Sequence, residues 1–432
     1  MMMATPRNTL DEWLSWQMQL HPREIELGLN RVRTVWQRLG APAPAKCVIT
    51  VAGTNGKGST VAFLETILLA GKHRVGAFTS PHLLQYNERV RVQGDDATDV
   101  SLITAFERIE KARGETALTY FEFGTLAALL IFAESALDVA ILEVGLGGRL
   151  DAVNIIDADA AIVTTVDLDH QDWLGSDRET IAREKAGIFR EGRPAILGES
   201  SPPSALIDEA RRAGSQVVAA GTDFHVESTA NGWRWKTGQV TLQLPNPGLD
   251  APCQRANAAA AIAALYALRE RINWNPQAIT QGVASARAPA RMQRFAGAPE
   301  LIVDVAHNPQ AARMLAEWLR SHPANGRTIA VFGALADKDV EGIVEAVQVQ
   351  IDGWQLASLD GDSARGLSSS SLAERLQGRI DPSALHFHPS VAAALDSALA
   401  MANPEDRIIA FGSFFVAAPA LARALIRQND KR

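Results

Sequence analysis

The sequence predicts an α/β protein with a parallel-sheet N-terminal domain and a smaller Rossmann-like α/β C-terminal domain. Two observations support this fold class. Short apolar runs alternate with amphipathic segments along most of the chain, which is the pattern of strand–helix–strand units around a parallel sheet. A segment rich in small residues, 284–295, then precedes a new apolar run, from which the alternation restarts. Domains are therefore predicted at 1–287 and 288–432.

The elements of the two domains are predicted from the period of their apolar residues. The segment 224–248 alternates polar and apolar residues around Asn231-Gly232, which predicts a small β-hairpin. Helices are predicted at 59–69, 102–112, 123–134, 178–187 and, from an alanine-rich run, 256–272. Strands are predicted in the first domain at 48–52, 75–79, 139–144, 160–166 and 194–197, and in the second at 301–305, 328–332, 354–358 and 408–412.

The composition is that of an ordinary globular protein. The 432 residues are 47% hydrophobic and 21% charged, and the net charge of −7 argues against non-specific binding to nucleic acid. Only two cysteines occur, Cys47 and Cys253, so a disulfide framework or a zinc knot is not expected. The N-terminus lacks a basic and then apolar leader, and no run of about 18 apolar residues suggests a membrane span. These features predict a cytoplasmic protein.

The stretch "VITVAGTNGKGST", 48–60, resembles a phosphate-binding loop. It departs from the usual pattern because Val51 replaces the first glycine and Gly58 follows Lys57 where a hydroxyl is expected. A strand, a glycine-rich turn, a lysine, two hydroxyls and a helix still occur in order, which favours a nucleoside triphosphate site in a P-loop-containing domain. The alternative is a tight strand–helix turn that binds no ligand.

Three further segments place polar side chains at or just past predicted strand ends, where open α/β sheets bind ligands. Ser80 could be an oxygen ligand of Mg²⁺ or a turn serine. Glu143 ends an apolar strand, and it could hold Mg²⁺ or pair with Arg149. His170 lies among Asp167, Asp169 and Asp172; it could serve a metal site or be an ordinary turn histidine.

Two other segments carry polar residues with less specific patterns. Lys185 lies on a predicted helix, and the pattern alone favours a surface lysine. In the second domain, Asp304, His307 and Asn308 lie on a strand–turn before a helix that Pro309 opens. This position suits contacts to a nucleotide or a substrate.

Taken together, these motifs resemble folylpolyglutamate synthase of the bacterial bifunctional type that also acts as dihydrofolate synthase, within the wider group of Mur ligases. The resemblance extends from about Leu10 to Phe415 in the right order and spacing. Two departures are Val153, where the family often has Thr, and Ala290, where it often has Gly. The motifs that carry the resemblance are "VAGTNGKGST", "SPHLLQYNERVRV", "LTYFEFGTLAAL", "LEVGLGGRLDAVNI", "LDHQDWLG", "REKAGIFR" and "DVAHNPQAA".

The resemblance implies a role for each matching position. The magnesium ligands, expected to serve two metal sites, are Ser80, Glu143 and His170, joined by Lys185, which the family carries as a carbamate. Catalytic roles are implied for Lys57, Glu143, His170 and Lys185. ATP contacts are implied for Thr54, Asn55, Gly56, Lys57, Gly58, Ser59, Asn257, Arg291 and Asp304, with His307 beside them. Dihydropteroate contacts are implied for Leu27, Thr119, Phe121, Asp151 and Ala152.

The resemblance also implies the reaction. ATP phosphorylates a carboxylate of dihydropteroate or of a folate glutamate tail, and the amine of L-glutamate attacks the acyl phosphate. The expected partners are therefore small molecules, and a monomer is expected. Two alternatives remain: a Mur-type ligase acting on a UDP-sugar peptide, and a nucleotide-dependent switch without ligase chemistry. The first is disfavoured because only 47 residues precede Val48, too few for a nucleotide-sugar domain.

Overall fold

The computed structural model describes residues 7–21, 23, 25–238 and 240–429. The described residues fold into two compact units. The first comprises Met1–Val166, Ser176–Gly248 and Arg255–Ala286, and the second comprises Asp167–Gly175, Leu249–Gln254 and Arg287–Arg432. Two short segments of the predicted first domain, Asp167–Gly175 and Leu249–Gln254, therefore belong to the second unit, which the sequence pattern did not predict.

The first unit is built on an eight-stranded sheet with the order β4-β3-β2-β5-β1-β6-β7-β8. Six strands run parallel, and β3 and β4 add an antiparallel edge. The parallel strands are wholly buried apart from β8, which explains why they read as continuous apolar runs. The strands are β1 (Cys47–Ala52), β2 (Val75–Phe78), β3 (Val90–Val92), β4 (Asp95–Asp96), β5 (Val139–Glu143), β6 (Ala160–Val163), β7 (Pro194–Leu197) and β8 (Gln216–Ala219).

A second, antiparallel sheet contains β9 (Phe224–Thr229), β10 (Gly232–Thr237) and β11 (Val240–Leu244). The turn at Asn231 joins β9 to β10, as the hairpin prediction required. Helices α3 and α5 bury most of their side chains, so they lack an exposed polar stripe. The helices up to residue 285 are α1 (Leu10–Leu20), α2 (Asn30–Arg38), α3 (Lys57–Ala70), α4 (Asp99–Arg113), α5 (Tyr120–Glu134), α6 (Gln171–Leu174), α7 (Arg178–Ala186), α8 (Ser204–Arg212), α9 (Gln254–Ala267) and α10 (Pro276–Ser285).

The second unit has a six-stranded sheet with the order β12-β13-β17-β14-β15-β16, parallel except for β12. Its core includes Trp318, Phe332, Trp354 and Phe411. The strands are β12 (Gln293–Phe295), β13 (Glu300–Val303), β14 (Thr328–Phe332), β15 (Gly353–Ala357), β16 (Leu385–His388) and β17 (Arg407–Phe411). The helices are α11 (Pro309–Ser321), α12 (Val340–Val347), α13 (Ser369–Arg375), α14 (Val391–Met401) and α15 (Phe414–Asn429).

The predicted fold class is confirmed, and the differences concern element ends and elements that were not predicted. Helix α3 begins at Lys57, two residues before the predicted start, because Gly56 adopts a left-handed conformation (φ 85°) and serves as its N-cap. Helix α9 ends at Ala267, and residues 268–273 continue as turns. Strands β3, β4, β8, β12 and β16 were not predicted, since these short or partly exposed strands lack a continuous apolar run.

Ala290, a departure from the family pattern, also adopts a left-handed conformation, with φ 51°. A glycine adopts this conformation without steric cost, whereas an alanine is strained by roughly 1 kcal/mol. The strain is held by hydrogen bonds on both sides of the residue: Ala290 N donates to Gln293 Oε1 at 2.9 Å, and Val305 N donates to Ala290 O at 3.0 Å. The segment after the unit boundary is therefore fixed despite the alanine.

Helices α3 and α10 pack against each other without room for a side chain at Gly282. A β-carbon there would lie 2.5 Å from Ile67 Cα, and Thr66 Oγ1 donates to Gly282 O at 3.0 Å. We expect Gly282→Ala to lower the free energy of unfolding by about 2 kcal/mol, because the helices must separate. Gly353→Ala is the matched control, since a β-carbon there meets no atom within 4 Å. Equal midpoints of denaturant unfolding for both variants would contradict the close contact.

Candidate functional site

The carboxyl ends of β1, β5 and β6 lie side by side in the first sheet. Val51 pairs with Glu143, and Ala52 pairs with Val163. Each strand is followed directly by polar or glycine-rich residues: 53–60 after β1, 143–154 at the end of β5, and 164–170 after β6. The parallel register therefore brings the first two of these segments, and the start of the third, to one edge of the sheet.

The glycine-rich turn after β1 is closely packed. A β-carbon at Gly56 would lie 2.4 Å from Asn257 Oδ1, so the Asn257 amide rests against the turn. Thr54 and Ser59 are buried. The first turn of α3 follows immediately, and its N–H groups carry the positive end of the helix dipole. This arrangement can bind an anion.

Lys57, the first residue of α3, lies over the turn. Its Nζ donates to Gly53 O at 2.9 Å and to Thr54 O at 3.3 Å. The side chain is half-buried, so its charge is only partly screened by solvent. The turn thus presents a lysine ammonium beside the helix N-terminus.

Glu143 and Ser80 are brought together at the ends of β5 and β2. Glu143 is 4% exposed, and its Oε2 accepts from Ser80 N at 3.0 Å. Arg149, the alternative partner considered for Glu143, instead forms an ion pair with Glu184 at 2.8 Å. The Glu143 carboxylate is thus oriented by the Ser80 backbone.

Lys185 is buried, with only 3% of its surface exposed, so the interpretation of a surface lysine is wrong. The residue lies on α7, whose backbone packs against the segment after β5: a β-carbon at Gly148 would lie 2.9 Å from Lys185 O. Burial of a cationic side chain is costly in the absence of compensating charge, which distinguishes this lysine from an ordinary surface residue.

His170 belongs to the second unit, unlike Ser80, Glu143 and Lys185. It is the N-cap of α6 in a left-handed conformation (φ 49°), and its N–H donates to Asp169 Oδ1 at 2.9 Å. Among the described residues, no group of three or more His, Cys, Asp or Glu side chains could hold a metal ion. The predicted ligand set does not require such a group, because it contains a serine and a modified lysine.

Asp169, next to His170, is the centre of a buried polar cluster in the second unit. Its carboxylate contacts Lys338 Nζ at 2.5 Å, Asn308 Nδ2 at 3.1 Å and His307 Nε2 at 3.3 Å. Burial alone would raise the pKa of Asp169, but the hydrogen bond from His307 and the charge of Lys338 hold it well below its usual range. This carboxylate fixes the segment that carries His170.

Arg291 and His307 lie near Phe414, the first residue of α15, in the second unit. The Arg291 guanidinium lies 5.4 Å from the centre of the Phe414 ring, and the His307 ring lies 6.1 Å from it. Asp304 accepts from Met292 N and Ala306 N, both at 2.7 Å, while burial raises its pKa. No local pattern in the sequence indicates these contacts of Phe414, because they depend on packing between distant segments.

The residues implied in dihydropteroate binding also converge in the first unit. The Phe121 ring packs against the Gly145 backbone, and Leu146 N donates to Asp151 Oδ2 at 2.8 Å. Gly28 N donates to Leu150 O at 3.3 Å, which places Leu27 beside the same segment. Ala152 follows Asp151 in a short 3₁₀ helix, and Thr119 is the N-cap of α5, in a capping box with Glu122.

Two family models match the chain. Residues 51–265 match the Mur ligase middle domain, and residues 290–414 match the Mur ligase glutamate ligase domain. The chain is 47% identical over 411 residues to the dihydrofolate synthase/folylpolyglutamate synthase of Escherichia coli K12, covering 95% of this chain and 94% of the relative. It is 41% identical over 430 residues to the Haemophilus influenzae protein of the same name, covering 95% and 96%.

Solved structures resemble the whole chain. The Escherichia coli FolC protein in complex with DHPP and ADP superposes with a TM-score of 0.92 at 45% identity, covering 98% of this chain and 100% of that one. A bifunctional folylpolyglutamate synthase/dihydrofolate synthase with Mn, AMPPNP and L-glutamate bound gives 0.89 at 43% identity, covering 97% and 99%. Nucleotides and a divalent metal are thus bound by similar proteins.

We expect the stability of the chain to depend on pH through Asp151. Burial raises the pKa of Asp151 to about 6, despite N–H donors from Leu146 and Val153. Because the folded state holds this proton more tightly than the unfolded state, stability from this group falls as pH rises from about 4 to about 6 and is constant above. Asp151→Asn removes this titration. The free energy of unfolding of the variant, relative to that of the wild type, should therefore increase by about 3 kcal/mol between pH 4 and pH 6.

Denaturant unfolding of both proteins between pH 4 and pH 8 measures this difference, in which the other titrating groups cancel. A difference that does not change with pH would show that the Asp151 carboxyl titrates normally. Asp381→Asn is a suitable control, because Asp381 is an exposed N-cap whose pKa is lowered by the N–H and hydroxyl of Ser383.

Proposed function

This chain belongs to the dihydrofolate synthase/folylpolyglutamate synthase family of the Mur ligases, and we propose that the side chains described above carry out the family's reaction. The chain is an ATP-dependent acid–amino-acid ligase that adds L-glutamate to dihydropteroate and to the γ-carboxylate of folates. The strongest support is the 47% identity to the Escherichia coli enzyme over 95% of the chain.

A carboxylate does not react with an amine until it has a leaving group. In the proposed reaction, a carboxylate oxygen of the substrate attacks the γ-phosphorus of ATP and the bond to ADP breaks. The L-glutamate amine then attacks the carbonyl carbon of the acyl phosphate, phosphate leaves, and the amine loses a proton. The contribution of the protein is to position the reactants, to neutralise phosphate charge and to exclude water from the acyl phosphate.

The glycine-rich turn supplies the triphosphate contacts in this proposal. Residues 54–59 form the phosphate site, in which the backbone N–H groups of residues 56–59 and the Ser59 hydroxyl bind the phosphates and Lys57 neutralises their charge. The support is the Lys57 ammonium, which lies within 3.3 Å of the turn carbonyls beside the N-terminus of α3. The further nucleotide contacts in this proposal are Asn257, at the turn, and three residues of the second unit, Arg291, Asp304 and His307.

The proposed metal ligands fit a hard divalent cation. Ser80 and Glu143 offer oxygen donors, and the Ser80 N–H holds one Glu143 oxygen in place at 3.0 Å. His170 and a carbamylated Lys185 complete the proposed set, which would serve two Mg²⁺ sites. Mg²⁺ at these residues would neutralise charge on the phosphates during transfer.

Carbamylation of Lys185 would convert a buried cation into an anion with two oxygen donors. The burial of this side chain, with 3% of its surface exposed, supports the proposal because a shielded carbamate is protected from water. We expect the protein labelled with ¹³C-bicarbonate to show one carbamate carbon resonance, which Lys185→Arg lacks. Lys111→Arg, at an exposed position of α4, is the control and should keep it. Identical spectra for the wild type and Lys185→Arg would exclude the modification.

The pterin end of the substrate is proposed to bind beside Phe121 and Asp151. Phe121 offers an aromatic face for stacking, and the Asp151 carboxyl offers hydrogen bonds to the ring nitrogens. Leu27, Thr119 and Ala152 line the same region in this proposal. The support is the convergence of these segments around 145–146, shown by the Phe121–Gly145 contact and the Leu146–Asp151 hydrogen bond.

The expected partners of the protein are small molecules. That the protein is a monomer and lies in the cytoplasm stays a prediction. Among the helices that the structure describes, none combines the length and the apolar character needed to cross a bilayer. The alternative of a nucleotide switch predicts hydrolysis that is independent of pteroate and glutamate, and the ADP-release assay below distinguishes it.

Lys57→Ala should lower glutamate-dependent ADP release at least about 100-fold, because the phosphates lose a preorganised cation. Glu143→Ala should have an effect of similar size through the proposed metal site. Lys111→Ala, at an exposed position of α4, is the control and should match the wild type. The assay is run with L-glutamate and either dihydropteroate or tetrahydrofolate.

Four outcomes of this assay are informative. Activity with both acceptors supports the two synthase activities, and activity with only one restricts the chain to that activity. ADP release that needs neither acceptor would refute the ligase proposal. Full turnover by Lys57→Ala would remove the role assigned to that lysine.

A further inference from the structure

Two threonines that directly follow β6, Thr164 and Thr165, form hydrogen bonds to the glycine-rich turn and to the end of β1. Thr164 N donates to Ala52 O at 2.9 Å, and Thr54 N donates to Thr165 O at 2.8 Å. Asn55 N donates to Thr165 Oγ1 at 3.2 Å. The sequence analysis assigned no role to either threonine, because both lie more than a hundred residues from the turn.

The Thr164 hydroxyl makes the shortest of these contacts. Its Oγ1 donates to Asn55 O at 2.6 Å and lies 3.3 Å from Ala52 O. Thr165 Oγ1 also lies 3.3 Å from Asn55 O. The Asn55 carbonyl is therefore held on the β6 side of the turn by two hydroxyls.

The Thr164 residue is closely packed on two sides. A β-carbon at Gly53 would lie 1.8 Å from Thr164 Oγ1, and a β-carbon at Gly198 would lie 2.8 Å from Thr164 O. Thr164 is thus enclosed between two glycines and is 2% exposed. This close packing fixes the position of the Thr164 hydroxyl before a ligand binds. Little conformational entropy of this side chain is therefore lost on binding.

The planar trans peptide bond links the direction of the Asn55 carbonyl to the direction of the N–H group of the next residue. The C=O and N–H of one peptide point in opposite directions. Because Asn55 O points to Thr164, the N–H of Gly56 points away from β6. In the same way, Asn55 N points to Thr165, so Thr54 O is directed away from it, and this carbonyl is one of the two that accept from Lys57 Nζ.

We propose that Thr164 and Thr165 are positioning residues for nucleotide binding: their hydroxyls set the two peptide planes that aim the Gly56 N–H and the Lys57 ammonium at the phosphates. This inference rests on the proposed role of the turn in binding ATP. Neither threonine touches the nucleotide in the proposal, so each acts only through the turn.

The test compares isosteric variants by calorimetric titration of the full chain with ADP. Thr164→Val keeps the shape but removes the donor, and it should weaken ADP binding about tenfold, which corresponds to one buried hydrogen bond of about 1.4 kcal/mol. Thr164→Ser keeps the hydroxyl and should stay within threefold of the wild type. The KM for ATP should rise with the dissociation constant, whereas dihydropteroate binding should stay within twofold.

Thr50→Val is the matched control. Thr50 lies on β1, is 1% exposed, and its hydroxyl has no hydrogen-bond partner among the described residues. The same substitution there removes a buried hydroxyl without touching the turn, so ADP affinity should not change. A general effect of Thr→Val changes in this sheet would appear in both variants.

The inference is overturned if folded Thr164→Val binds ADP as tightly as the wild type, or if Thr164→Ser loses as much affinity as Thr164→Val. If Thr164→Val does not fold, as judged by thermal unfolding, Thr165→Val decides by the same criterion, since Thr165 is only half-buried. A wild-type chain that fails to bind ADP would instead refute the proposed function.

Discussion

The parallel register of β2, β5, β1 and β6 is the constraint on which the site in the first unit depends. It places four strand ends next to each other, and each is followed by a different kind of polar group. These groups are the Ser80 N–H, the Glu143 carboxylate, the glycine-rich turn and the Thr164–Thr165 pair. Displacing any one of these strands in the sheet would separate its polar group from that of its neighbour.

Three buried carboxylates of the two units are compensated by backbone N–H groups or by opposite charges. Asp151 and Asp304 are held mainly by N–H donors, and burial still raises the pKa of each. Asp169 is held by Lys338 and His307, and its pKa is lowered instead. The opposite directions follow from the kind of partner, since a cation stabilises a carboxylate more strongly than a neutral N–H does.

The family relationship and the geometry support the same function by different routes. The relatives identify an ATP-dependent ligase that acts on pteroate-type acceptors and glutamate. In the proposed function, one sheet edge provides both the phosphate site and the site for the aromatic substrate. The structure shows that the segment carrying His170 is held by residues of the second unit, through Asp169 and, more peripherally, Asp167, which pairs with Arg313 at 3.1 Å.

The sequence by itself determined the fold class, the order of the main strands and the location of the glycine-rich turn, because these depend on local apolar periodicity and on glycine. It also placed Asp304, His307 and the Pro309 helix start correctly. Only the tertiary structure decided that Lys185 is buried, that Glu143 meets Ser80 and that Thr164 holds the turn. These contacts join residues far apart in the chain, and no local pattern of residue types encodes which distant backbone group a side chain will meet.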